Sequence, residues 1–265
     1  MEVVGQVESL WRYPVKSMRG EELQEAYFGF HGVYGDRLYA FRSSAARAEF
    51  PYFTGREQAQ MILCRPVYRH PEQMIRPGNP ADAETIAPGL ASVHPKTAGP
   101  MLDVEIPSGE SLAIDDPQLI GKLREGIRER HELTLMRSDR AMTDSRPVSL
   151  FAIQTARQLG EEVGIDLDKR RFRANIYVNL RPGNGFGEEQ FVGARLRIGA
   201  KTVIEIIERD ARCKMITLDP DTGQASPEVM RQLAHSHKGC AGVYGAVLVE
   251  GTVRPGDEIT RLDLG

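Results

Sequence analysis

The sequence predicts an α+β fold, mostly β, in which two β-barrel-rich modules carry a few peripheral helices. Short runs of β-branched and aromatic residues recur from end to end, separated by turn residues. Only a few windows place apolar residues at helical spacing, and no internal repeat or low-complexity tract breaks the pattern. A turn of character near residue 116 divides the chain into a module of residues 1–115 and another of residues 116–265.

In the first module, residues 2–13 alternate and carry Val3, Val4, Val7, Leu10, Trp11 and Tyr13, so they read as a strand. Pro14 ends it, because proline cannot donate to a sheet ladder. Residues 24–30 form a second strand, and Gly32 and Gly35 make a tight turn before a buried strand at 38–41. Arg37 stands at the edge of that strand. A short helix is expected over 56–63 and a strand over 64–68. Residues 76–100 hold five prolines and no stable period, so they read as a long surface loop or irregular hairpins. Residues 101–106 and 111–114 read as a hairpin about Pro107, Ser108 and Gly109. Asp116 caps a helix over 117–129, where Leu119, Ile120, Leu123 and Ile127 share one face.

Beyond that helix, with which it opens, the second module continues with a strand over 132–136 and a polar loop over 138–149. A helix over 153–163 ends at Gly164. The basic run Lys169-Arg170-Arg171-Phe172-Arg173 leads into a strand reaching Asn179. Strands follow over 190–198, 201–208, 243–250 and 258–262, with a short helix over 227–235.

Composition narrows the function. The 265 residues are 41% hydrophobic and 27% charged with a net charge of −3, ordinary for a globular protein that buries its own core. That charge argues against a nucleic-acid surface and against membrane attraction. No apolar run approaches the roughly 20 residues of a spanning helix. Three cysteines, 64, 213 and 240, make no disulfide framework. The first residues lack the basic and apolar regions of a signal peptide, so a cytoplasmic location is expected.

The chemistry concentrates at Cys213. It lies between a β-branched run (Val203, Ile204, Ile206, Ile207) and the turn Asp219-Pro220-Asp221-Thr222-Gly223. Arg212 and Lys214 flank it and Arg209 is near, and cations beside a thiol favour the thiolate, the form that attacks or binds metal. A lone cysteine there is either such a thiol or a small buried hydrophobe. Other motifs carry less. Gly183-Asn184-Gly185-Phe186-Gly187 lacks the ending of a phosphate loop. His235, His237 and Cys240 match no common zinc spacing. No nucleophile elbow surrounds Ser149, and three scattered cysteines cannot ligate an iron–sulfur cluster. The run from Lys169 to Arg173 could hold a phosphate, bind nucleic acid or be a solvated face.

Several stretches together resemble the MOSC family, closest in pattern to the amidoxime-reducing proteins and their bacterial counterparts. Tyr13-Pro14-Val15-Lys16-Ser17-Met18-Arg19-Gly20 and Gly35-Asp36-Arg37 resemble the N-terminal barrel module. Phe172-Arg173-Ala174-Asn175-Ile176, Arg197-Ile198-Gly199, Arg212-Cys213 with Thr217 and Asp219-Pro220, and Gly256-Asp257-Glu258 resemble the MOSC core, in the family's order. The resemblance implies a pterin-based molybdenum cofactor with Cys213 as protein ligand to the metal and catalytic residue. It implies Lys16, Ser17, Arg37, Thr155, Arg173, Asn175 and Arg212 as cofactor-binding residues. It implies reduction of N-hydroxylated small molecules, and as the chain ends at Gly265 the electrons would come from a separate flavin or iron–sulfur reductase. A sulfur carrier using a Cys213 persulfide, or a cofactor carrier without turnover, would use the same thiol. No pyridoxal phosphate is expected of this chain alone, and the oligomeric state stays open. Gln190-Phe191 departs from the acidic–tryptophan pair common in the family, which bears on the pocket rim.

Overall fold

The computed structural model describes residues 2–78, 101–127 and 132–262. In chain order the first half supplies β1 (Glu2–Arg12), β2 (Glu21–Leu23), β3 (Ala26–Gly29), β4 (Gly32–Val33), β5 (Tyr39–Arg47) and β6 (Phe50–Phe53). It continues with β7 (Arg65–Tyr68), β8 (Leu102–Glu105) and β9 (Ser111–Ala113). The second half supplies β10 (Leu133–Arg137), β11 (Val148–Ala152), β12 (Ile176–Leu180) and β13 (Arg195–Ile198). Then come β14 (Thr202–Ala211), β15 (Cys240–Val249), β16 (Gly251–Val253) and β17 (Glu258–Leu262). The α-helices among the described residues are Pro117–Leu123, Ile153–Val163 and Pro227–Ser236, and none is long and apolar enough to cross a membrane.

Seven strands close into a barrel in the order β12-β11-β15-β14-β13-β17-β1, with β1 returning to pair with β12 and β2 hanging on its edge. Only β11 and β12 run parallel within it. The two halves of the sequence therefore share sheets. β1 completes a barrel otherwise made by the second half, β10 pairs with β5, and β16 pairs with β3. The mostly β, α+β architecture read from the sequence is the one found.

Inward side chains such as Val7, Leu150, Val178, Leu196, Ile206 and Val243 fill the barrel. Each such side chain contributes about 1.5–3 kcal/mol by leaving water. A second core lies under the N-terminal sheets, around Phe41, Phe53, Met61 and Leu102. The helices Ile153–Val163 and Pro227–Ser236 pack on the barrel's outer face through Leu159, Val229 and Leu233 against Phe151, Phe172 and Tyr177.

The departures from the sequence reading have physical causes. β11 replaces the expected end of a polar loop. All five of its residues are buried, Val148, Leu150 and Ala152 in the barrel and Phe151 under the helices, so no polar alternation marks it. Gln190 and Phe191 are not in a strand but in the 3-10 turn Gly187–Phe191, because the buried Glu188 carboxylate accepts the Thr155 hydroxyl at 2.7 Å and ties this segment to the helix. The helix expected over 117–129 runs Pro117–Leu123, capped by Asp116. The surface loop expected over 76–100 falls from residue 79 onward outside the described residues.

Candidate functional site

A cleft opens at one end of the barrel. β14 leads to it. The strand bulges between Arg209 and Ala211, delivers Asp210 to the cleft, and passes through Arg212 to Cys213. Cys213 is extended and begins the 3-10 turn Lys214–Thr217. It is half-buried, lines the cleft, and its sulfur has no hydrogen-bond partner among the described residues. The turn beyond it is fixed by Asp219, whose carboxylate accepts the Asp221 and Thr222 amides at 3.1 and 2.9 Å. Asp219 also holds Arg171 at 3.0 Å, while Arg171 donates to the Thr217 carbonyl at 2.7 Å.

The first half of the chain closes the other side. The Lys16 amide donates to the Tyr39 carbonyl at 2.8 Å, which brings Lys16 and Ser17 to the cleft. Lys16 Nζ donates to the Met142 carbonyl at 2.8 Å and to the Asp144 carboxylate. Arg37 pairs with the wholly buried Asp36 and donates to the Arg173 carbonyl at 3.0 Å. Arg173 donates to the Met18 carbonyl at 2.7 Å. The Arg37 and Arg173 guanidinium carbons lie 4.7 and 4.4 Å from the centre of the Tyr13 ring.

The cleft is lined by six cations, Lys16, Arg37, Arg56, Arg171, Arg173 and Arg212, against two carboxylates, Asp144 and Asp210. Three of its non-glycine residues hold left-handed backbone, Ser17 at φ 67°, Arg37 at 47° and Arg173 at 54°. Such conformations cost about 1–3 kcal/mol each and persist where the surroundings impose them. The charges are also under strain. Burial depresses the Arg173 pKa to about 10. Burial lowers Lys16 as well, offset only in part by Asp144. Burial works against the Arg37 charge too, but Asp36 and Tyr13 outweigh it and the pKa rises. The Asp210 carboxyl is pushed up to about 7 by burial against the pull of Arg212. Asp144 resists burial and stays below the usual carboxylate range, chiefly because Lys16 adjoins it.

Of the eight sequence candidates, Lys16, Ser17, Arg37, Arg173, Arg212 and Cys213 line this one cleft. Thr155 and Asn175 do not. The Thr155 hydroxyl donates to Glu188 and accepts the Phe186 amide at 2.7 Å, inside the fold. Asn175 is buried and stitches β1 to β11, donating to the Trp11 carbonyl at 3.3 Å and accepting the Ser149 amide at 3.2 Å. Arg212 and Lys214, which flank Cys213, are both engaged elsewhere. Arg212 donates to the carbonyls of Ala241 and Phe172 at 2.6 and 2.7 Å, and Lys214 Nζ to the Arg56 carbonyl at 3.3 Å.

Sequence reasoning missed Arg56, Arg171, Asp144, Asp210 and Tyr244. The basic run could have supplied Arg171. The structure splits that run. Arg171 and Arg173 enter the cleft, while Arg170 is held by Asp168 and Asp221 and Lys169 by Glu8.

No curated protein matches the chain in sequence. Among solved structures, the YuaD protein of Bacillus subtilis is similar at 12% identity and TM-score 0.46, with 99% of this chain and 97% of that one covered. YiiM from Geobacillus stearothermophilus is similar at 16% identity and TM-score 0.36, covering 44% of this chain and 55% of its own. YiiM from Escherichia coli gives 14% identity, TM-score 0.35, and 46% and 56% coverage. These likenesses are too remote to carry function. The family models are specific: the MOSC N-terminal beta barrel domain matches residues 4–116 and the MOSC domain residues 137–260. Between them they take in the residues that form both walls of the cleft, and the chain belongs to the MOSC family.

Proposed function

We propose that the protein binds a pterin-based molybdenum cofactor in this cleft and reduces N-hydroxylated small molecules with electrons from a separate flavin or iron–sulfur reductase. MOSC domains are associated with molybdenum cofactor binding in general. One observation carries the reading to this chain. A half-buried thiol without a hydrogen-bond partner opens into a cleft where the Nε atoms of Arg56 and Arg171 also lack partners. Among the described residues five buried side-chain polar atoms have no hydrogen bond, and four belong to the cleft: Arg56 Nε, Arg171 Nε, Arg212 Nη2 and Asp210 Oδ2. An unpaired buried donor such as Arg56 Nε or Arg171 Nε costs about 1–3 kcal/mol unless a ligand satisfies it, whereas Arg212 Nη2 and Asp210 Oδ2 lie 2.8 Å apart as an ion pair.

These residues fit the cofactor. Its phosphate suits the cations, because charge-assisted hydrogen bonds to arginine are the strong ones. A soft thiolate suits its metal. No three His, Cys, Asp or Glu side chains gather to hold a bare ion among the described residues, so a metal at Cys213 has to arrive with ligands of its own. Cys213 would hold the metal, and Lys16, Ser17, Arg37, Arg171, Arg173 and Arg212 the anionic part. When bound, the cofactor supplies a two-electron redox centre able to take the oxygen of an N–O bond. The protein orients it, and the burial of Arg173 and Arg212 keeps their charges in place as water is displaced.

The test is metal and pterin analysis of protein made in a cofactor-competent host, beside Cys213→Ala. The wild type should carry both, and the variant should lose the metal. The wild type should then turn over an N-hydroxylated compound when a reductase is added. Sulfane sulfur on Cys213 with no molybdenum would instead identify a sulfur carrier, and bound cofactor without turnover would identify a carrier of the cofactor.

A further inference from the structure

The strand that delivers Cys213 also delivers a buried acid. Asp210 is 2% exposed, near the end of β14, and it lines the cleft. Its Oδ2 lies 2.8 Å from Arg212 Nη2, close enough to pair charges, yet the alignment is too poor for a hydrogen bond and that oxygen has none. The other nitrogens of Arg212 are taken by backbone carbonyls, so the arginine is anchored independently of the acid. Asp210 differs in this from Asp144, whose carboxylate is engaged by Lys16.

The charged and titratable groups facing Asp210 come from every wall. Glu208 precedes it on β14, and Tyr244 of β15, the register partner of Glu208, lines the cleft beside it. Arg212 follows on the chain, and Asp144 and Arg37 act from the opposite side. Burial, Asp144 and Glu208 favour the neutral acid, while Arg212 and Arg37 oppose it, and the carboxyl titrates at about 7. The Tyr244 phenol is raised by burial and by Asp210, so it stays neutral and competes for no proton. A carboxyl that faces the reacting space, keeps one oxygen unbonded and titrates near the working pH meets the requirements for a general acid.

We propose that Asp210 is the proton donor of the cleft. The proposal rests on the reading of function above. Reducing an N-hydroxylated compound breaks one N–O bond, releases the oxygen as water and leaves the nitrogen as an amine or amidine. It consumes two electrons, which the separate reductase supplies, and two protons. Asp210 gives one of these and solvent the other, and the open cleft lets the carboxylate regain its proton from water.

The first test needs no cofactor. Infrared difference spectra of the cofactor-free protein, titrated from about pH 5 to about pH 9, should show a carboxylic acid band lost with a midpoint near 7 and missing from Asp210→Asn. Denaturant titrations supply a second readout. Asp210 is raised in the folded state, so between its ordinary 3.8 and about 7 the folded protein binds more protons than the unfolded chain. The stability of the wild type relative to Asp210→Asn should therefore fall as pH rises through that window and level off above it. In the cofactor-loaded protein, Asp210→Asn should lower kcat by about 10²-fold or more, keep the metal content, and lose the limb of the pH profile near neutrality, with Asp210→Glu restoring part of the rate. Asp210 already ionised at pH 5, or turnover unchanged in Asp210→Asn, overturns the proposal. A wild type that turns over no N-hydroxylated compound yet shows the band rejects the reading of function and the donor role with it. That outcome is distinguishable from an ionised Asp210.

Discussion

The barrel wall and the cleft at its mouth share strands but follow opposite rules. In the wall, the buried polar groups are matched with the exception of the Thr202 hydroxyl: Glu188 with Thr155, Asn175 with Ser149 and Trp11, Gln154 with Asn179 and Leu180. In the cleft, cations outnumber carboxylates, three non-glycine residues take left-handed backbone, and four buried polar atoms lack hydrogen bonds. The wall is arranged for folding. The cleft keeps an excess of positive charge and open hydrogen-bonding positions in a fixed place, which supports the anionic ligand proposed for it.

The contrast is sharpest between two arginines on one ring. Arg37 and Arg173 both lie over Tyr13, but Arg37 pairs with Asp36 and Arg173 pairs with no carboxylate among the described residues. Their pKa values move in opposite directions as a result. Replacing Arg37 by Met strands the fully buried Asp36 and should cost about 3–5 kcal/mol of folding stability in denaturant titrations. If Arg37→Met were neutral, the distinction between the two arginines would fail. Thr155→Val, in the wall, should lose about 1–3 kcal/mol because Glu188 is left without its hydroxyl donor, with molybdenum content unchanged. A metal-free but stable Thr155→Val would move that residue from the wall to the site. Arg173→Met removes a buried charge whose hydrogen bond to the Met18 carbonyl and contact with the Tyr13 ring are offset by its burial cost. Its stability should change by less than about 1 kcal/mol, while cofactor retention on dilution falls about tenfold, as expected for one lost charge-assisted contact.

Much of the fold was legible because its strands alternate or are β-branched, as in Val203, Ile204 and Ile206, and because Asp116 and Gly164 punctuate two helices. β11 was not legible, since burial on both faces erased the alternation that would have announced it. In the site, six of the eight candidates meet because their motifs sit at strand ends and turns. Ser17, Arg37 and Arg173 are held there by local backbone geometry. Arg56 and Asp210 gave no signal of their own, and Arg171 only that of the basic run in which it stands. Their roles depend on which strands become neighbours, and the β14 bulge that aims Asp210 inward appears only once β15 is paired alongside.

The central claim is that Cys213 is the protein's ligand to a metal brought by the cofactor into a cationic cleft. X-ray absorption at the molybdenum edge tests it most directly, on the loaded wild type and on whatever metal Cys213→Ser retains. The account predicts one sulfur neighbour fewer in the variant than in the wild type, with the pterin still bound by the cations. An identical sulfur count in the two proteins would contradict it.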